Sequence, residues 1–187
     1  MKPRFAHAYV LNVLSNDHPG IVAAVTRAVS HRGGNIDACS QTVVEGYFTL
    51  IMVISFEEPV APEQLAAEVR GDNSSGFQVV ARAFVPPPPR PSPVVERFIL
   101  TAFGGDKPGI MRRFSEYLAG KDINITDFFA HREGDQFLLI GQLEIPVAHD
   151  LAALQADLEQ IAAELAFTVK LQHENIFVAT NQLRLQR

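Results

Sequence analysis

The 187 residues are 47% apolar and 20% charged, the balance of a folded chain with room for one ordinary domain or two small ones. With 16 Lys and Arg against 21 Asp and Glu, the formal charge is −5 and the pI near 5.6, which repels phosphate backbones and argues against direct nucleic-acid binding. The lone Cys39 excludes an internal disulfide and suits a cytoplasmic protein, and the apolar stretch behind Lys2 and Arg4, interrupted by His7 and Asn12, is neither a signal peptide nor a membrane span.

The first predicted strand covers Tyr9 to Leu14 and runs into Asn16-Asp17-His18-Pro19-Gly20, in which D-x-P-G is turn chemistry. A helix follows. Ile21, Val25, Ala28 and Val29 fall at i, i+4, i+7 and i+8 on one buried face, Pro19 stands near the first turn, and Gly33-Gly34 closes the helix. Asp37 to Val44 and Tyr47 to Phe56 form a hairpin around Glu45-Gly46. After a second helix, Phe77 to Phe84 supply a last strand. Val85 to Pro93, with six prolines in nine residues, reads as a polyproline linker that spans roughly 25 Å at about 3.1 Å per residue.

The same order then recurs, displaced by 89 residues. Asp106-Lys107-Pro108-Gly109-Ile110 repeats Asp17-His18-Pro19-Gly20-Ile21, and the stripe Ile110, Phe114, Tyr117, Leu118 repeats that of the first helix. Strands are predicted at Phe98 to Phe103, at Thr126 to Arg132 and Gln136 to Ile145 around Gly134-Asp135, and at Phe167 to Gln172. Leu151, Leu154, Leu158, Ile161 and Leu165 mark the second helix of this copy. The expected fold class is α+β, two tandem ferredoxin-like βαββαβ domains with antiparallel sheets and helices on one face: residues 1–84 and 95–173, a linker over 85–94 and a C-terminal extension over 174–187. Ile176 to Leu185 remain apolar after the repeat ends, so they are expected to cover a sheet face or dock on another copy.

Helix one of each copy begins at a strand-to-helix turn, where unpaired N–H groups and the helix dipole make an anion site. Two readings compete there. Asp17 and Asp106 suit the role of helix caps, whereas Gly20 and Gly109 suit close approach of a ligand to the backbone. Asn35 and Asn124 read equally well as loop residues and as amides offered to a zwitterion. Catalysis finds little support: Ser15, Asp17 and His18 diverge along one turn, and the six histidines lack metal-ligand spacing. Cys39 is expected in the core, and Arg112 and Arg113 on a solvated helix face.

The pattern D-x-P-G-I, amphipathic helix, N-I, hairpin, present twice, resembles the ACT-domain family. A free-standing tandem pair of this length is similar to the glycine cleavage system transcriptional repressor family. The resemblance implies a non-catalytic regulator without metal or cofactor. It implies domains paired side by side in a homo-oligomer, with a small amino acid, glycine or serine favoured, held between the first turn of one domain and the second strand of its neighbour. Carried over, the ligand-binding residues are Asn16, Asp17, His18, Gly20, Ile21, Asn35 and Ile36, then Asp106, Lys107, Gly109, Ile110, Asn124 and Ile125. Phe128-Phe129 stand where the first copy has Cys39-Ser40, a bulk expected to fill the second pocket. The implied mode of action is repression through a DNA-bound activator protein. A ligand-free dimerisation module and the ACT domains attached to formyltetrahydrofolate deformylase or uridylyltransferases are the alternatives.

Overall fold

The computed structural model describes residues 2–71, 76–86 and 94–182, and the chain divides into two compact units, residues 1–88 and 89–187. Most of the expected linker lies outside the described residues.

In the first unit, β1 (His7–Asn16), α1 (Ile21–His31), β2 (Asn35–Val44), β3 (Tyr47–Phe56), α2 (Pro62–Arg70) and β4 (Gln78–Ala83) follow in order. The sheet order is β2-β3-β1-β4, antiparallel throughout. Period two decides which face is buried. Tyr9, Leu11 and Val13 on β1 and Phe48, Leu50, Met52, Ile54 and Phe56 on β3 face the helices, joined by Ile21, Val25 and Val29 of α1 and Leu65 and Val69 of α2. The phenol of Tyr9 accepts the Val60 N–H at 2.8 Å, which satisfies its polar end inside this core.

The second unit repeats the arrangement with β5 (Val95–Gly105), α3 (Ile110–Gly120), β6 (Asn124–Glu133), β7 (Gln136–Pro146), α4 (Leu151–Glu164) and β8 (Phe167–His173), in sheet order β6-β7-β5-β8. The duplication extends to register. Asn12 pairs with Ile51 and Thr101 with Ile140, and each β2-like strand carries a bulge, between Ile36 and Ala38 and between Ile125 and Asp127. The two sheets are therefore the same βαββαβ design with helices on one face.

The helices of the second unit are joined by polar ties. Tyr117 donates its hydroxyl to Asp157 at 2.8 Å; burial first, then the bond and charge of that carboxylate, push the phenol far above its ordinary range and keep it protonated. Arg113 pairs with Glu164, and Arg112 with Glu116 one helical turn on, so both arginines do lie on the solvated side of α3. Cys39 departs from expectation: it is exposed, on β2 at the edge of the first sheet. The residues after β8 form a fifth helix, α5 (Glu174–Gln182), which packs on β5 and β8. There Ile99, on the face opposite Phe98 and Leu100, is only 4% exposed.

Candidate functional site

The expected ligand residues at the D-x-P-G turn come together. Asp17 follows β1, its N–H bonded to the Gly46 carbonyl at the hairpin tip at 2.8 Å; Asp106 is held likewise by Asp135. The helix then starts without help from either carboxylate. Gly20 and Gly109 themselves occupy the cap position with φ of 100° and 90°, and no side chain accepts a hydrogen bond from either helix start. The capping reading of Asp17 and Asp106 is thus overturned. A left-handed backbone at the cap favours glycine.

Three consequences follow for the first unit. The N–H groups of Ile21, Val22 and Ala23 have no intrahelical acceptor and carry the positive end of α1. Asp17 makes no side-chain hydrogen bond or ion pair among the described residues, so its charge is available. His18 stacks on Phe77 with ring centroids 6.2 Å apart and turns Nδ1 to the Pro19 carbonyl at 3.0 Å. These groups line an open cleft of about 430 Å³ whose floor includes Phe48. An anionic carboxylate suits the helix end and a cationic ammonium suits Asp17. Val22, Ala23 and Phe48 belong to this cleft and were not singled out in the sequence, since they contribute backbone donors and an apolar wall, which no motif encodes.

Asn35 and Ile36 do not reach the turn of their own unit. Asn16 pairs with Tyr47 and Asn35 with Ser55, so eight residues of β3 separate them, roughly 26 Å at strand rise. In the second unit Gly105 pairs with Gln136 and Asn124 with Glu144, the same separation. Asn35 instead donates Nδ2 to Asp37 Oδ1 at 2.9 Å, and Asn124 donates to Glu144 at 3.2 Å. The Asn35 side-chain carbonyl is left without a donor among the described residues. Burial pushes the Asp37 carboxyl up, but bonds from Ser55, the Arg4 N–H and Asn35, with the Arg4 charge, hold it below its usual value of 3.8.

The second turn differs electrostatically. Arg132 places Nη1 3.7 Å from Asp106 Oδ2, whereas the matching position in the first unit is Val43. Phe128 packs into the helix-side core against Gly141, while Phe129 is 54% exposed on the other face and stacks on His131. In the second unit a larger cleft of about 630 Å³ runs beside β8 and is lined by none of the turn residues, and its Gln155 is already bonded to the β8 backbone and to Glu159. Ser15 is buried and bonds the Asn16 carbonyl, so no triad assembles with His18. Among the described residues no group of three His, Cys, Asp or Glu side chains is placed to hold a metal, and no helix is long and apolar enough to cross a membrane.

Comparison with known proteins fits this architecture. Residues 9–70 and residues 96–172 each match the ACT domain. A UPF0237 protein of Methanococcus maripaludis is 33% identical over 84 residues, which are 44% of this chain and 93% of that protein. Two crystal structures share the fold at 20% identity: an unknown protein from Galdieria sulphuraria, with a TM-score of 0.73 over 89% of this chain and 98% of that one, and a protein provisionally assigned as a glycine cleavage system transcriptional repressor, with a TM-score of 0.65 over 89% and 96%. Carrying an ACT domain, a non-catalytic regulatory module, in each half and matching a relative over nearly that relative's whole length, the chain belongs to the ACT-domain family.

Proposed function

We propose that the chain senses a small amino acid, glycine or serine favoured, and regulates transcription through a protein partner such as a DNA-bound activator. The observation that carries the sensing role is the uncapped start of α1 facing the unneutralised Asp17 across one cleft. The ligand carboxylate takes the N–H groups near Gly20 and Ile21, and the ammonium takes Asp17. The remaining contact comes from a second copy. When two β2 strands pair antiparallel about a twofold axis, residue 35 of one lies opposite the Val44 end of the other, beside its turn. The Asn35 carbonyl then meets the ammonium, and the first unit becomes the sensing site. The second unit, with Asp106 already paired to Arg132, serves as framework.

The net charge of −5 favours a protein intermediary over direct contact with DNA. The tandem fold shared with the protein assigned as a glycine cleavage repressor supports the regulatory direction of the proposal. Thermal melting with each of the twenty amino acids tests it. At a hundred times its dissociation constant the ligand raises stability by about 2.7 kcal/mol, and Asp17→Asn removes most of that rise. A wild-type curve unmoved by every amino acid refutes sensing.

A further inference from the structure

The two sheets treat their open faces differently. In the second unit α5 packs on β5 and β8 and Ile99 is buried beneath the strands' outer side. Among the described residues the first unit has no helix after β4, and the sequence there is proline-rich. Its open face still carries apolar side chains on all four strands, with Leu14 39%, Val44 61%, Tyr47 59%, Ile51 47% and Val80 65% exposed. Register sets Ser40, Ile51, Asn12 and Val80 in one row across the centre of this face.

Charge separates the faces further. On the second sheet Arg97, Asp127, Glu144 and Lys170 alternate outward with the open-face residues. On the first sheet Arg82, at the edge, is the charged residue that the described strands turn outward, apart from Asp37 at the bulge, where Arg4 and Phe5 lie over the Ser55 end of the face and leave the rows from Tyr47 to Val53 open. A face with almost no charge meets its own copy without repulsion. Its footprint, four strands about 4.8 Å apart by roughly 26 Å, is about 500 Å² per copy, so closing two copies removes roughly 1,000 Å² from water, the lower bound of a specific interface.

We propose that the open face of the first sheet packs face to face on the same face of a second copy of this chain. The contact is separate from the β2 edge invoked for ligand binding and does not rest on it. Ile51 lies at its centre and Val80 on its β4 side, and being exposed they are not needed for the fold of the single unit.

Sedimentation of the full chain at micromolar concentration tests the proposal against the Ile51→Lys, Val80→Lys double variant and its Ile51→Glu, Val80→Glu counterpart. Each variant alone is expected to show half the wild-type mass, to keep the wild-type far-ultraviolet circular dichroism, and to keep any amino-acid-induced rise in melting temperature. An equal mixture of the Lys and Glu forms is expected to recover the wild-type mass, which only like faces in contact explain. Equal masses for wild type and both variants overturn it, as does a mixture that stays at half mass. Should the variants lose their folded spectrum, pyrene on Asn12→Cys in a Cys39→Ser background decides: excimer emission rising with concentration supports the contact, and its absence overturns it.

Discussion

At Asp37 a residue that looks like an exposed strand carboxylate has a structural task. Its Oδ1 accepts the Arg4 N–H and the Asn35 amide, both at 2.9 Å, while Ser55 accepts the Phe5 N–H at 3.2 Å beside it. This cluster sits at the β2 bulge and moors the chain's first residues to the sheet. The Asp37 carboxyl lies below its ordinary 3.8 when folded, so its stabilisation is complete above that value and is lost as pH falls through the lower folded value. Asp37→Asn is expected to cost about 1 to 2 kcal/mol at neutral pH, with the gap to wild type closing in strong acid. Urea unfolding at pH 7 and pH 2.5 checks this; a gap of constant size at both would show that the charge is not what holds the N-terminal segment. The same cluster bears on ligand binding, because Asp37 fixes the rotamer in which Asn35 keeps its carbonyl free.

Among the elements, the edge strands differ in how they are guarded. Gln155 of α4 accepts the Leu171 N–H at 2.9 Å and donates to the Val169 carbonyl at 3.3 Å, standing in for a neighbouring strand along β8. β2, ten residues long with Ala38 to Val44 uncharged, has no such guard among the described residues, which leaves it the edge suited to pairing. Gln155→Ala is expected to cost about 1 kcal/mol and to increase light scattering on heating, because it reopens two backbone groups; unchanged scattering and melting would assign the amide no protective role. Much of this framework is legible in the sequence because it repeats. The D-x-P-G turns, the apolar stripes and the hairpin tips at Glu45-Gly46 and Gly134-Asp135 are local signals, and the strands they predict match β1 to β8 within a few residues at each end. The Gln155 tie joins residues 14 and 16 apart through backbone atoms, which leaves no trace in composition or period. α5 shows in the sequence only as an apolar tail, since Ile176, Val178 and Thr180 are β-branched and give a weak helical signal. At the site, the residue types of the turn were legible, but the left-handed cap at Gly20 and the distance from Asn35 to the turn are set by backbone geometry and strand register.

For the whole molecule, duplication has left two copies with a common fold and unequal chemistry. Each unit has its own core cluster, one from Tyr9 to Val79 and one from Phe98 to Phe167, so each has the burial needed to fold alone. Among the described residues the first retains an unpaired Asp17, an open face covered only at its Ser55 end and an edge without such a tie; the second pairs Asp106 with Arg132, packs α5 on β5 and β8 and guards β8 with Gln155. Such a division suits a sensor built on one copy and a framework built on the other. It leads to a concrete expectation for the two halves produced separately as residues 1–88 and 89–187. Both are expected to melt cooperatively, because neither core borrows residues from the other. The amino acid that stabilises the full chain is expected to stabilise the first half by a similar amount, since two copies of that half supply both the turn and the β2 edge, and to leave the second half unmoved. Arg132→Val, which recreates the first unit's Val43 and frees Asp106, is then expected to confer a measurable rise on the second half. A second half that responds as strongly as the first without that change would mean that the Arg132 pair does not silence its turn, and that sensing is shared by both copies.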